Sequence, residues 1–186
     1  MLRVKKLFVL TAVLACSALA WAQRGPTTAL GGTTGSDITA SYVLMVKDTS
    51  FDMGYEGADF SSTKYLTRHW GFRAEADIEK MDTFAYREYG IRGGPVYKFN
   101  LSPNAQPYIE FLAGYARAKG DHHVFNGPRA YHDGLSILGG GGLDYRLRNG
   151  WFVRTGADIV DNTSGHFGSK YGRVTFGIAY HFFDRQ

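Results

Sequence analysis

Four histidines are the first residues in this chain whose type and spacing suggest chemistry. His122, His123 and His132 lie in or beside one polar segment, and His166 lies in another. Clustered imidazoles can bind Zn²⁺ or Cu²⁺. A structural metal site normally has firmer spacing or a cysteine ligand, whereas an exposed polar loop needs no fixed geometry. The sequence therefore favours an ordinary loop and predicts no metal and no cofactor.

A serine near histidine and aspartate residues suggests a second chemistry, ester hydrolysis. Ser136 follows Asp121, His122 and His132, and a serine nucleophile works with a base and an orienting carboxylate. These groups must be in contact, and all three residue types are common in loops. Gly139–Gly142 is not a phosphate-binding loop, because no Lys-Ser or Lys-Thr pair follows it. The sequence thus predicts no catalytic residue.

Charged residues of both signs recur at alternate positions of several segments. If these positions share one buried face, carboxylates must stand near cationic groups, because buried charges need partners. We interpret them as one charge network. Its predicted members are Arg73, Glu75, Asp77, Glu88, Arg92, Glu110, Asp144, Arg146, Arg154 and Asp158.

The elements that must position these residues are β-strands. In the last segment, 173–182, Phe176 and Ile178 point one way while Thr175 and Gly177 point the other. Beyond the amino-terminal segment no run of about 18 apolar residues occurs, which excludes helical membrane spans. Eight strands are predicted, at about 37–47, 56–67, 70–80, 86–99, 107–118, 134–147, 150–160 and 173–182.

Eight amphipathic strands at this spacing predict a sandwich or a barrel, and each is long enough to cross a bilayer at a tilt. The links after the second, fourth and sixth strands are short and the others mostly longer, which is typical of outer-membrane barrels. Pro95, beside Gly93 and Gly94, predicts a β-bulge, because a closed barrel has no edge for a proline. The predicted fold is all-β, an eight-stranded antiparallel up-and-down transmembrane β-barrel.

Aromatic residues predict which face of the barrel meets lipid. Several lie on the apolar face near the short links, which makes a belt at the level where amphipathic rings prefer to sit. A protein core has no reason to concentrate aromatic rings at one rim. The apolar face is therefore predicted to face lipid. The belt comprises Trp70, Tyr97, Phe99, Tyr145, Trp151, Tyr180 and Phe182.

The charged face then lines a narrow interior, for which two interpretations are open. Ion pairs that exchange partners could gate a small pore, whereas fixed pairs would plug it. The plug is favoured, because eight strands leave little more than side-chain room inside. The candidates for the gate are Glu75, Asp77, Arg92, Arg146, Arg154 and Asp158.

The amino-terminal segment predicts export. Arg3, Lys5 and Lys6 precede an apolar stretch that ends in the small-x-small cleavage site Ala20–Ala22. Cleavage there removes Cys16, the only cysteine, and lowers the formal net charge from +4 to +1. The remaining chain gives no reason to expect a nucleic-acid partner. The predicted divisions are a signal peptide (1–22), a disordered lead-in (23–36) and the barrel (37–186).

Two runs carry a resemblance to a known family. Gly93–Phe99, a Gly-Gly-Pro-x-Tyr-x-Phe run, and the final Gly-x-x-Tyr-x-Phe run resemble the OmpA-like outer-membrane β-barrel domain family, over about 37–182. Unlike many such barrels, the chain continues past the last aromatic of the run, with Phe183–Gln186. The final strand also resembles the carboxy-terminal assembly signal of such barrels, through Thr175, Gly177, Tyr180 and Phe182.

This resemblance implies a monomer in the outer membrane of a Gram-negative-type bacterium. The partners it implies are outer-membrane lipid, lipopolysaccharide and the barrel assembly machinery. The expected role is structural or surface-exposed, with at most slow passage of small solutes. Two alternatives stay open: a barrel enzyme that modifies lipid A, and a soluble periplasmic lipocalin-like binder whose apolar face is inside.

Overall fold

Eight β-strands make up almost all of the chain that the computed structural model describes, which is residues 35–46, 55–81, 86–99, 101–102, 104–119, 131–163 and 169–183. None of these residues belongs to a helix long and apolar enough to cross a membrane. The predicted signal peptide and most of the lead-in lie outside the described residues. The strands are β1 (Gly35–Val46), β2 (Tyr55–Tyr65), β3 (Trp70–Met81), β4 (Tyr86–Lys98), β5 (Ala105–Lys119), β6 (Tyr131–Arg146), β7 (Trp151–Asn162) and β8 (Ser169–Phe183).

Each strand pairs antiparallel with its neighbours in sequence, and β1 closes the barrel against β8. Pairing across this seam runs from Gly35↔Phe183 to Val46↔Gly172, the full length of β1. Closure leaves no edge strand, so the backbone groups are satisfied within the sheet. The predicted eight-stranded antiparallel up-and-down barrel is confirmed. We call the end where 66–69, 99–104 and 147–150 connect strands the short-turn end, and the opposite end the long-link end.

Several strands extend beyond the alternating pattern that predicts them. β1 begins at Gly35, inside the predicted lead-in, β6 begins at Tyr131, and β8 begins at Ser169. The added segments are mostly polar or small, and they continue the ladder through pairs such as Asn162↔Ser169. Backbone pairing needs only N–H and C=O groups, so a strand can continue after its apolar alternation stops.

Pro95 is accommodated without the predicted bulge. Between β4 and β5, the pairs Gly93↔Ala113 and Val96↔Glu110 are separated by the same number of residues on both strands. The positions between them carry no pair with β5, while pairing with β3 continues through Pro95. A proline has no N–H to donate, and a local gap in one ladder absorbs that loss. The prediction of an extra residue here was wrong.

The two faces of the barrel differ in chemistry. Outward side chains in the middle of the strands are apolar and exposed, such as Phe60 (55%), Ile91 (71%) and Phe176 (53%). Inward positions carry buried charges, such as Glu79 and Arg173. A lipocalin-like binder needs the reverse arrangement, so that alternative is wrong. An apolar exterior around a polar interior suits a barrel surrounded by lipid.

One cluster of interior side chains is apolar, which strand alternation does not reveal. Val43, Leu112, Leu138 and Val160 are completely buried and form one cluster with Met45 and Tyr171. Most of these residues lie toward the long-link end, where β1 and β7 finish and β8 starts. Eight strands enclose a space that side chains can just fill. The cluster therefore fills part of the interior without any polar group except the Tyr171 hydroxyl.

Two glycines make room inside the barrel for one large ring. Gly142 on β6 and Gly156 on β7 are directly opposite each other. A Cβ atom at Gly142 would lie 2.7 Å from the Tyr108 hydroxyl, and one at Gly156 would lie 3.0 Å from it. Glycine is needed at both positions because the ring approaches the backbone closely. The Tyr108 ring therefore packs directly against the backbone of β6 and β7.

A lysine substitution in the middle of β3 tests whether the outward face of the barrel contacts lipid. Ala76 is exposed on the outward face of β3. We expect Ala76→Lys to lower the free energy of unfolding by about 2–4 kcal/mol, because its ammonium group would face hydrocarbon. Urea unfolding in phospholipid vesicles measures this change. Ala76→Leu is the matched control and should not destabilise. A lysine effect below about 0.5 kcal/mol would mean that this face is in water.

Candidate functional site

Arg154 and Lys98 hold together the part of the interior nearest the short-turn end. The Nε of Arg154 donates to Asp144 at 2.6 Å, and its Nη2 lies 3.1 Å from Asp37. The Nζ of Lys98 lies 3.0 Å from Asp144 and 3.5 Å from Asp37. His181 contacts the other carboxylate oxygen of Asp37. Two cations and two carboxylates thus alternate in what we call the first cluster, as burial of charge requires.

Tyr108 separates two arginines beside the first cluster. The guanidinium carbons of Arg73 and Arg154 lie 5.0 and 5.3 Å from the centroid of its ring. Arg73 in turn pairs with Glu110 and donates to the hydroxyl of Thr63 at 3.0 Å. Cation–π attraction to the ring offsets part of the repulsion between two like charges that share a small space.

Arg173 is the centre of a second cluster, further from the short turns. Its guanidinium lies 2.8 Å from Glu75, 3.3 Å from Asp158 and 3.5 Å from Asp77. Arg92 contacts Asp77 and lies 3.5 Å from Glu75. Two guanidinium groups therefore face three carboxylates, which come from strands on opposite sides of the barrel.

A third cluster lies around the Tyr171 hydroxyl, toward the long-link end. This oxygen is 3.1 Å from Glu79 and 3.0 Å from Glu88, which are directly opposite residues on β3 and β4. The side-chain amide of Asn162 donates to Glu88. A hydroxyl has a single hydrogen, so Tyr171 donates to one of the two carboxyls and accepts from the other only if that carboxyl is protonated.

The predicted charge network is divided among these clusters. The first cluster and the neighbouring Tyr108 site contain Arg154, Asp144, Arg73 and Glu110. The second cluster contains Glu75, Asp77, Arg92 and Asp158. The third cluster contains Glu88. Arg146 is half-buried and ends β6 at the short-turn rim. The six candidates for a gate therefore do not meet at one level of the interior.

Several interior residues that join the clusters are absent from the predicted network. Each of them occupies an inward position, so the alternation of its strand could have pointed to it. Arg173, for example, lies two residues before inward-facing Thr175. Alternation cannot reveal which inward residues share a level, because that depends on strand tilt and stagger. The residues missed in this way are Asp37, Tyr108, Tyr171 and Arg173, whereas Glu79 and Lys98 belong to the alternating charged face that predicts the lumen.

The predicted aromatic belt lies on the outward face near the short-turn end and contains two groups of three rings. Within each group, neighbouring ring centroids are 4.7–4.9 Å apart in an edge-to-face arrangement. Edge-to-face pairs are favourable, and amphipathic rings suit the membrane–water boundary. One group consists of Trp70, Tyr97 and Phe99. The other consists of Trp151, Tyr180 and Phe182. The seventh residue of the belt, Tyr145, is exposed on β6.

The residues of the predicted assembly signal lie on both faces of β8. Thr175 and Gly177 point inward, whereas Tyr180 and Phe182 point outward in the belt. A Cβ atom at Gly177 would collide with the backbone of Ala40 across the seam between β1 and β8. In the closed barrel these residues therefore have packing roles. Their recognition by an assembly machinery stays a prediction.

The residues considered for catalysis do not come together in the described part of the chain. Ser136 is completely buried inside the barrel, and its hydroxyl accepts a hydrogen bond from Arg92 at 2.7 Å. An enzyme acting on a membrane lipid needs its nucleophile where the lipid can reach it. The backbone of His132 belongs to β6, but its side chain lies outside the described residues, as do Asp121 and His122.

The side chains of the histidines considered as metal ligands are not described in the structure either. His123 and His166 also lie outside the described residues. Within the strands and turns that the structure describes, no group of three or more histidine, cysteine, aspartate or glutamate residues is arranged to hold a metal ion. The chemistry visible in the described residues is therefore charge pairing inside the barrel and ring packing at its rim.

Comparison with known proteins identifies one family. The sequence profile of the outer membrane protein β-barrel domain matches residues 8–182. No curated protein sequence matches the chain.

Solved structures with a similar barrel come from several bacteria. Neisserial surface protein A (NspA) is 15% identical with a TM-score of 0.61, covering 82% of this chain and 99% of that one. OprG from Pseudomonas aeruginosa is 14% identical with a TM-score of 0.57, covering 83% and 99%. Ail, the attachment invasion locus protein of Yersinia pestis, is 16% identical with a TM-score of 0.55, covering 82% and 100%. At such low identity these likenesses show the fold alone.

Replacement of the central arginine tests the charge network. We expect Arg173→Met to lower the free energy of unfolding by about 3–5 kcal/mol, because the carboxylates around it lose their shared cation while they stay buried. Urea unfolding in vesicles measures the loss. Lys170→Met is the control, since Lys170 pairs with Asp161 at 3.4 Å on the exposed surface and should cost at most about 1 kcal/mol. Equal effects of the two substitutions would contradict the importance of the network.

Proposed function

The chain belongs to the outer-membrane-protein β-barrel domain family, and we propose that it is a structural protein of the outer membrane, with a surface-exposed end and an interior closed to solutes at rest. The supporting observation is the set of ion pairs and hydrogen bonds that cross the interior. A protein of this kind contributes to the membrane through its folded barrel and contacts the surroundings through the links at one end.

The interior contacts join strands that are not neighbours in the sheet. Arg73 on β3 pairs with Glu110 on β5. Arg173 on β8 pairs with Glu75 on β3 at 2.8 Å. Such contacts pass through the lumen rather than along a ladder of paired strands. The side chains that make them therefore occupy the path a solute would have to follow.

Two kinds of barrier fill this path. The first and second clusters would have to separate opposite charges, and an unpaired buried charge costs several kcal/mol. The apolar cluster around Leu112 and Leu138 fills further space with side chains that offer water no hydrogen-bonding partner. Solute passage would need both barriers to rearrange together. This makes a fixed plug a better account of the interior than a gate.

A surface role is proposed for the links at the long-link end. In outer-membrane barrels the short turns face the periplasm and the longer loops face outward. By this rule, 47–54, 82–85, 120–130 and 164–168 would face the exterior of the cell. The names of two structurally similar proteins, a surface protein and an attachment invasion locus protein, support a surface role for this chain as well.

Planar-bilayer recording tests the closed interior. We expect wild-type protein to give no steady conductance above that of a protein-free bilayer. Arg92→Ala should give measurable openings, because it removes a buried guanidinium that occupies the lumen between Asp77 on the neighbouring β3 and Ser136 on β6. Faster migration of unboiled than boiled samples on a denaturing gel verifies that each barrel is folded. Steady wild-type conductance would contradict the closed role and favour passage of small solutes.

Mass spectrometry of lipid A tests the enzymatic alternative. Since Ser136 is buried and bonded to Arg92, we expect the same lipid A species in cells with the gene, without it, and with Ser136→Ala. A species that changes on deletion and is restored by the wild-type gene would overturn the non-enzymatic role. If Ser136→Ala then failed to restore that species, Ser136 would be assigned to the reaction.

A further inference from the structure

Two of the short turns are built in the same way. In the turn between β2 and β3, the backbone N–H of Leu66 donates to the carbonyl oxygen of Trp70 at 2.9 Å. In the turn between β6 and β7, the N–H of Leu147 donates to the carbonyl oxygen of Trp151, also at 2.9 Å. Each turn therefore starts at a leucine and places a tryptophan on the outward face, as the first residue of the next strand.

Each of these tryptophans belongs to one of the two groups of three rings in the belt. Trp70 is directly opposite Tyr97 on β4, and Trp151 is directly opposite Tyr180 on β8. Strands β3 and β7 are four strands apart in either direction around the closed barrel, so the two turns and their rings form matched surfaces on opposite sides. We call them the β3 surface (66–70 with Tyr97 and Phe99) and the β7 surface (147–151 with Tyr180 and Phe182).

Each surface also carries an arginine in its turn. Arg68 lies two residues before Trp70 and is exposed, and Arg148 lies three residues before Trp151 and is half-buried. None of the three short turns contains an aspartate or a glutamate. The carboxylates of the first cluster, which lie nearest to this end, are buried inside the barrel and pair with the cations of that cluster. The charge that the two turns present to their surroundings is therefore positive.

The rings and leucines place both arginines at a membrane boundary. Tryptophan and tyrosine rings favour the headgroup level, and each arginine lies within three residues of a belt tryptophan. Three residues of chain span at most about 10 Å, and the headgroup region is roughly 5–8 Å thick on each side of the bilayer. Leu66 and Leu147 are 69% and 45% exposed, so each turn presents an apolar side chain together with its cation. Arg68 and Arg148 are therefore within reach of lipid phosphates.

We propose that the β3 surface and the β7 surface each bind an anionic phospholipid of the periplasmic leaflet through its phosphate group. This inference rests on the outer-membrane placement proposed above, in which the short turns face the periplasm. The planar guanidinium group of arginine donates two parallel hydrogen bonds to phosphate oxygens. The acyl chains of the same lipid lie along the edge-to-face rings, which offer a large apolar area. Headgroup and chains are thus recognised by adjacent parts of one surface.

Quenching of tryptophan fluorescence by brominated lipids tests the two surfaces separately. The chain has three tryptophans, Trp21, Trp70 and Trp151. Trp21→Phe with Trp151→Phe leaves a fluorophore on the β3 surface alone, and Trp21→Phe with Trp70→Phe leaves one on the β7 surface alone. Each protein is refolded into phosphatidylcholine vesicles that contain brominated phosphatidylglycerol or brominated phosphatidylcholine. Phosphatidylcholine has no net charge, because its choline group neutralises its phosphate.

We expect phosphatidylglycerol to bind about fivefold more strongly than phosphatidylcholine at each surface, which corresponds to roughly 1 kcal/mol for one arginine. Arg68→Gln should abolish this preference at Trp70 and leave it unchanged at Trp151. Arg148→Gln should abolish it at Trp151 and leave it unchanged at Trp70. Concentrated salt should weaken the preference at both surfaces, because it screens exposed charges.

Lys170→Gln is the matched control, because Lys170 is an exposed cation at the long-link end, 3.4 Å from Asp161; it should change neither preference. The gel-migration shift verifies that every variant is folded. Equal binding of the two lipids by proteins that keep both arginines would overturn the proposal, as would a preference that survives Arg68→Gln and Arg148→Gln. Quenching by both lipids without a preference would leave the proposed structural role intact, whereas no quenching by either lipid would contradict the membrane placement itself.

Discussion

A narrow barrel must neutralise every charge that its polar face brings inside, and the rest of this structure depends on that constraint. Closure of β1 against β8 removes the sheet edges, which a lipid environment demands. The same closure shuts the inward carboxylates and guanidinium groups off from bulk water. Interior cations therefore stand beside carboxylates, and Arg173 joins carboxylates of two strands, Glu75 and Asp158. The closed sheet and the ion pairs inside it are therefore linked, because closure buries the charges and pairing offsets the cost of that burial.

Close packing constrains the interior of the barrel in addition to charge pairing. Gly142 and Gly156 leave the wall thin where the Tyr108 ring crosses, and that ring keeps Arg73 and Arg154 apart. Aliphatic side chains around Leu138 fill further space beside the charged groups. A path along the axis thus meets both charge pairs and apolar side chains. This filling explains why a barrel with many interior charges is better understood as a plugged structure than as an ion pathway.

The exterior is layered in a different way. Aromatic rings occupy the short-turn rim, aliphatic residues the middle, and charged residues the long-link rim. The two rims are not equivalent, because the first is built from edge-to-face rings and the second carries ion pairs such as those of Arg117 with Asp133 and of Lys170 with Asp161. An asymmetric membrane offers different headgroups to its two faces. The residues on the barrel exterior therefore distinguish the two ends of the barrel, as well as the part of each strand that lies in the hydrocarbon.

The sequence by itself determined the class of fold, the number of strands, the face of each strand that meets lipid and the position of the aromatic rim. These properties follow from alternation with a period of two, which is local and survives in a single strand. Only the tertiary structure decided which inward residues meet. In the closed barrel, the interior clusters form around Arg173, Asp37 and Tyr108, and Arg92 donates a hydrogen bond to Ser136. The tilt and stagger of the strands set those encounters, and they are properties of the closed sheet, so no strand encodes them alone.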